Sequence, residues 1–431
     1  ATLILGAFIF CLIGNAQTKG NSDPLAIAYK KAESLHTKTI SWREQLHKYP
    51  ELGNREFKTA KLVADHLRSL GIEVKEGVAK TGVVGLLKGS KPGPCIALRA
   101  DMDALPLTER VNIPFASKEK TTYAGSEVGV MHACGHDGHT ATLLAAAKHL
   151  AANRDFAGTV YVIFQPAEEG GGGAREMIKD GLFERFPMDA VFALHNWPGL
   201  PVGLFAVSPG PVMASSNEFR ITVRGKGAHA AMPHMGIDPV PVAAAMVQSF
   251  QTIVTRNNKP VDAAVISVTM INAGEATNVI PNTCEMRGTV RTFSVPVLDL
   301  IEQRMREVAQ HTAAAYGATC DFEFVRNYPP TINDATQAAF AKRVFTAAFG
   351  AANVGDQEPT MGAEDFAYML MEKPGAYIFL GNGTGDHRDI GHGGGPCTLH
   401  NPSYDFNDDL IGIGATGWVR LVNDAFKSDA V

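Results

Sequence analysis

Cysteine is scarce. Six occur in 431 residues, and Cys11 lies in an apolar leader, leaving Cys95, Cys134, Cys284, Cys320 and Cys397. An odd, scattered set of this kind excludes a disulfide framework as the organising device. Basic clusters are lacking too: 39 Lys and Arg face 44 Asp and Glu, for a formal net charge of −5. Nucleic-acid binding, which neutralises phosphates with grouped cations, is therefore disfavoured. Charged residues make up 19% and apolar ones 45%, a globular composition that excludes wholesale disorder. No internal repeat occurs, and Gly170–Gly173 is the sole low-complexity tract.

The uncharged apolar run Thr2–Gly14 (TLILGAFIFCLIG) is short for a membrane span and fits the core of a signal peptide. Residues 1–16 read as such a leader, clipped because the basic residues that precede its core are missing. Small residues at Gly14 and Ala16 suit cleavage after Ala16, so the expectation is an exported protein, periplasmic or secreted, with no stable membrane span after processing. A buried strand or a non-cleaved anchor is the alternative.

A chain this long exceeds one ordinary core, so two domains are expected. Pro24–Leu70 reads as helical, with amphipathic stretches at Ala26–Leu46 and Phe57–Leu70. Strands at Pro94–Ala100, Thr159–Phe164 and Ala190–Leu194 then alternate with helices such as Thr140–Leu150. That rhythm predicts an α/β fold, a mostly parallel sheet with helices on both faces. The middle differs: Glu218–Arg224, Ala263–Ile271, Asn282–Thr292 and Thr319–Arg326 read as strands around helices Pro239–Thr255 and Val297–Tyr316. The order βαββαβ predicts a ferredoxin-like unit over 217–326, inserted into a larger domain formed by 24–216 and 327–431.

Ligand-type residues gather in five short segments, most of them just past a predicted strand, where ligands bind in open α/β sheets. Asp101 and Asp103 leave the first strand. Cys134 and His136 follow, two apart, so an extended segment would turn both toward one metal centre; a thiolate beside imidazole suits zinc. A helix N-terminal loop with incidental histidines is an equal reading of that segment alone. Glu168-Glu169 come after an apolar strand and before four glycines, where solvated surface charge is less expected. Paired carboxylates allow one to bind metal while the other moves protons. His195 and His400 complete the pattern, though either alone is more often structural. Cys134, His136, Glu169, His195 and His400 together match the donor number of a two-metal hydrolase, with Glu168 spare as base.

The ordered segments LRADMDALPL, MHACGHDGHTA, QPAEEGGGGA, LHNWPG, GKGAHAAMPH, TNVIPN, GAEDFAYM and LHNPSYDFND resemble the di-metal aminoacylase and carboxypeptidase G family of metallopeptidases. The likeness is closest to its amidohydrolase branch of hippurate hydrolases, N-acyl-L-amino-acid amidohydrolases and auxin-conjugate hydrolases. It covers the chain from about Ile27 to the C-terminus. The resemblance implies hydrolysis of the amide bond of N-acyl amino acids by a water bridging two divalent ions. These would be zinc or manganese, with cobalt or nickel as alternatives. It implies that Cys134 bridges the ions, that Glu169 and His400 complete one site and His136 and His195 the other, and that Glu168 is the general base. Asp101 stands where much of the family has a metal-binding His, and Asp103 would orient a ligand His. The insertion would be a lid and homodimerisation domain, with His229 reaching the partner's site to stabilise the oxyanion and Asn278 and Arg291 holding the substrate carboxylate. Read by themselves, His229 is a turn histidine and Arg291 a solvated strand charge. The alternatives are a metallo-dipeptidase or carboxypeptidase acting on short peptides, a single-metal enzyme, or a non-catalytic binding homologue.

Overall fold

The computed structural model describes residues 38–389 and 391–425; the expected leader lies outside them. Of the helical stretch expected over Pro24–Leu70, residues 24–37 lie outside the described ones; 38–48 and Phe57–Ser69 are helical, and 49–56 between them is not, with Asn54 at φ +63°. Phe57–Ser69 presents Ala60, Val63, Ala64 and Leu67 inward, the spacing of one helical face.

Eight strands form the main sheet, in spatial order Glu73–Val78, Gly82–Lys88, Ala157–Gln165, Lys91–Asp101, Ala190–Pro198, Gly375–Gly383, Phe205–Ala206 and Val354–Gly355. The four central strands from Ala157–Gln165 to Gly375–Gly383 run parallel, and antiparallel partners flank them. Parallel strands are covered on both faces, so they read as continuous apolar runs; Ala190–Asn196 and all of Gly375–Gly383 are buried. Helix His136–Ala152 is buried on nearly every side between the sheet and helix Asp409–Ala425. Its Gly138 admits no side chain, since a Cβ there would stand 2.4 Å from the Phe406 ring.

The insertion has the expected βαββαβ order. Its antiparallel sheet runs Ala264–Ala273, Thr283–Thr292, Ser216–Arg224, Thr319–Tyr328, which is the ferredoxin-like arrangement. Phe219, Ile221 and Val223 alternate inward against helices Pro239–Thr252 and Val295–Ala315, while Glu218, Arg220 and Arg224 face solvent. Both helices start on a side-chain cap followed by proline. The Asp238 carboxylate accepts from Val240 N and the Ser294 hydroxyl from Val297 N. The lid thus has a hydrophobic core of its own, assembled from residues 219–324.

Two strands form the neck joining lid and main domain. Gly210–Met213 pairs antiparallel with Thr331–Asn333, and Ser216 pairs with Tyr328 immediately above. The Ser215 hydroxyl accepts from the Thr292 and Asn217 side of the lid, and Asn333 binds the backbone of Tyr377 in the main sheet. No described helix is long and apolar enough to cross a membrane.

Phe250 is fully buried in the lid core. Phe250→Ala is expected to cost about 3–5 kcal/mol through lost burial and an unfilled cavity, read as a lowered urea midpoint; an unchanged midpoint contradicts this packing.

Candidate metal centre

The site forms where strand ends meet the start of helix His136–Ala152. Between Cys134 and His136 the chain does not stay extended, contrary to the expectation from their spacing. Gly135 takes φ +93° as the helix N-cap, and His136 is the first helical residue. A Cβ on Gly135 would lie 2.3 Å from Asn196 Nδ2 and 2.6 Å from the Tyr404 hydroxyl, so only glycine fits. The turn is locked by Asn196, whose amide donates to Cys134 O (2.7 Å) and accepts from the Tyr404 hydroxyl (2.8 Å).

Glu168 and Glu169 follow strand Ala157–Gln165 through Ala167, at φ +52°. Their backbone amides donate to the two oxygens of Asp103, at 3.0 and 2.9 Å. Asp103 also accepts, through its carbonyl oxygen, from His136 Nδ1 at 2.8 Å. This contact leaves His136 Nε2 to face the site. His195 lies within strand Ala190–Pro198 rather than beyond it. Its Nδ1 bonds the Asn196 carbonyl, and Nε2 stands 3.5 Å from Cys134 Sγ. His400 returns from the far end of the sequence because its own amide donates to Ala133 O (2.7 Å), and its Nε2 reaches Glu169 Oε1 at 3.3 Å.

All five expected donors therefore converge. Ligating atoms of Cys134, His136 and Glu169 lie within 4.8 Å of one another. Among the described residues, His136 Nε2 is buried with no hydrogen-bond partner, 3.9 Å from Glu169 Oε1, a costly arrangement that a cation between them would resolve. Asp101, His139, His136 and His195 make a second compact group. His139 is not free to bind an ion, however: its Nδ1 bonds Asp101 (2.7 Å) and its Nε2 accepts from Asn196 N (3.0 Å).

The electrostatics favour positive charge. Burial, then the Glu169 and Glu168 carboxylates, push the Cys134 thiol well above its usual value. Burial and the neighbouring Glu364, Glu169 and Asp365 do the same to Glu168. At His136 burial opposes the charged form, yet Asp101, Asp103 and Glu169 outweigh it and raise the imidazole to about 10. His195 is pushed well below its ordinary value by burial and by His139, so it is the neutral imidazole a metal requires. A thiolate, three imidazoles and a carboxylate fit borderline-soft divalent ions.

Several contributors went unrecognised in sequence. Arg99 is fully buried, with Nη1 2.6 Å from Asp101 and Nη2 2.9 and 3.2 Å from Glu364 and Asp365. Asn196, His139 and Tyr404 shape the Cys134 turn. Beside Glu168 a cleft of about 320 Å³ opens, walled by Trp197, Met213, Tyr328, Tyr377 and Leu399. His229, Asn278 and Arg291 do not line it. His229 is exposed on the lid, its Nδ1 accepting from Ala231 N; the neighbouring Asn278 is exposed too, and Arg291 is half-buried opposite Val265.

The family model for peptidase family M20/M25/M40 matches residues 97–424. The chain is 40% identical to an N-acetyl-L-cysteine deacetylase of Bacillus subtilis, over 95% of this chain and 92% of the relative. It is 41% identical to thermostable carboxypeptidase 1 of Saccharolobus solfataricus, over 89% and 94%. The crystal structure of Bacillus subtilis YXEP, a dinuclear metal binding peptidase from the M20 family, superposes with a TM-score of 0.78. Its identity is 35%, over 93% of this chain and all of that one.

Asp103→Asn is expected to weaken divalent-metal affinity by roughly 10–100-fold by loosening the Glu168–Glu169 backbone that its carboxylate holds. Competition against a chromophoric chelator measures it, and wild-type affinity would contradict this orienting contact.

Proposed function

The chain belongs to peptidase family M20/M25/M40, and from that premise we propose that it is a metal-dependent amidohydrolase cleaving the amide bond of N-acyl amino acids. One observation carries the reading: five metal-type donors converge beside a buried carboxyl that opens on a largely apolar cleft. Cys134, Glu169 and His400 would hold one divalent ion, and Cys134, His136 and His195 a second, with zinc favoured by the thiolate and manganese, cobalt or nickel the alternatives. When bound, such ions supply Lewis acidity and make water at the site more acidic.

The chain's own residues do the rest. Glu168, buried beside the converging donors, takes a proton from the attacking water and returns it to the leaving nitrogen. The C–N bond breaks, releasing a carboxylic acid and an amino acid. The apolar walls at Trp197, Met213 and Leu399 suit the acyl group and exclude water around it. His229 lies outside the cleft of its own chain, which supports its delivery by a partner subunit to stabilise the oxyanion. Asn278 and Arg291 would hold the substrate carboxylate, Arg291 through its planar fork. The homodimer would form through the lid, where edge strand Ala264–Ala273 exposes Met270 and Ile271. Export, with cleavage after Ala16, belongs to the same proposal and rests on the apolar run Thr2–Gly14.

A carboxypeptidase reading is favoured by the Saccharolobus relative's name. A panel of N-acetyl and N-benzoyl amino acids against free dipeptides and N-blocked peptides separates the two; turnover of peptides alone would overturn the amidohydrolase reading. Glu168→Gln is expected to keep its metal content while losing at least about 100-fold in kcat, and retention of most activity would sink the base assignment.

A further inference from the structure

Tyr328 is the last residue of lid strand Thr319–Tyr328 and is followed directly by Pro329-Pro330. It pairs with Ser216, so it sits where both lid connections pass into the neck. Yet its side chain does not stay in the lid. It is buried, only 7% exposed, and borders the cleft beside Glu168. The phenol donates to the Glu168 carbonyl at 2.5 Å and accepts from Gly172 N at 3.1 Å. Those two groups are the ends of the loop that carries the acidic pair. Burial, with Asp365 and Glu168 nearby, holds the phenol far above its ordinary value, so it remains a donor at working pH.

Inside the loop Gly170 N donates to Glu168 O at 2.7 Å and Gly173 N to Ala167 O at 3.1 Å, and contacts from outside add to these turn bonds. Ala167, Gly170 and Gly172 all take left-handed φ values, so no regular structure fixes Glu168. Asp103 holds the amides of Glu168 and Glu169 from the main domain. Tyr328 holds the carbonyl of Glu168 from the lid side. Glu168 is thus held from two sides, by Asp103 in the main domain and by Tyr328 at the end of the lid strand.

We propose that Tyr328 is a positioning residue that couples the setting of the lid to the aim of Glu168. Rotation of the lid about the neck carries the Tyr328 hydroxyl and, through it, the Glu168–Gly172 loop. The coupling rests on the reading of Glu168 as general base. Removing the hydroxyl misplaces the carboxyl while leaving the ring that walls the cleft in place.

Tyr328→Phe keeps the ring and its edge contact with Tyr368 while deleting the hydroxyl. In the metal-loaded full chain, kcat on an N-acyl amino acid is expected to fall by roughly 10–100-fold, as for a small misplacement of a reacting group. KM should change little, and hydrogen exchange across 167–173 should rise while that of lid strand Ser216–Arg224 stays unchanged. Tyr368→Phe is the control: it removes a neighbouring bond to Asn327 O and should leave kcat and loop exchange at wild type. An equal loss of kcat in Tyr368→Phe, a change in KM alone, or unaltered loop exchange in Tyr328→Phe overturns the inference. Glu168→Gln assayed alongside separates the two readings. An active Glu168→Gln overturns the base assignment; wild-type kcat in Tyr328→Phe beside an inactive Glu168→Gln overturns the coupling alone.

Discussion

Beneath the site a single guanidinium holds three carboxylates out of water. Arg99 meets Asp101, Glu364 and Asp365, and its Nε donates to Gln165, all of them buried. Each partner then secures a different part of the site. Asp101 fixes His139, which braces Asn196 and so the Cys134 turn. Asp365 accepts from Ala174 N at the start of the helix after the glutamate loop, and Glu364 from Phe366 N. Loss of Arg99 would leave three buried carboxylates without their counter-charge, a far larger penalty than the ion pairs return. The balance is still negative once Glu168 and Glu169 are counted, and that excess is what makes the floor of the cleft a place for divalent cations.

A comparable device grips the other side of helix His136–Ala152. Arg43, from the helix over 38–48, pairs with Asp405 at 2.7 Å and lies 3.6 Å from Asp137. His47 bonds Asp137 and Glu109, and these two carboxylates raise its imidazole to about 9 against the effect of burial. Asp137 is the next residue after His136, so the first turn of the ligand-bearing helix is tied both to the start of the described chain and to the loop near residue 405. The donors are therefore set by rigid elements held from two directions, which suits a site that must place several ligands around two ions.

Much of this was legible in the sequence because the relevant signals are local. Apolar runs marked the central strands, alternation marked lid strands such as Glu218–Arg224 and Asn282–Thr292, and amphipathic periodicity marked the lid helix near Val297–Tyr316. The five donors stood out because strand ends in such sheets carry ligands. What escaped notice is held by contacts distant in sequence. The Tyr404 bond to Asn196 spans 208 positions and that of Tyr328 to Glu168 spans 160, and no periodicity records either. Arg99 looked like an ordinary strand residue because only the folded chain shows that three acids surround it. The extended geometry expected for Cys134–His136 failed for a local reason: the left-handed Gly135 turns the chain into a helix between them.

The five donors differ in their access to water. Cys134, His136 and His195 are buried, and Glu169 is half-buried, but His400 is exposed, on a backbone at φ +59°. The cluster is thus a socket with a deep side and an open side. In the proposed arrangement, an ion at Glu169 and His400 would meet solvent and chelators first, while one against His136 and His195 would be sheltered behind it. Metal exchange at this centre would consequently be ordered, with one position quick to load and to lose its ion and the other slow at both.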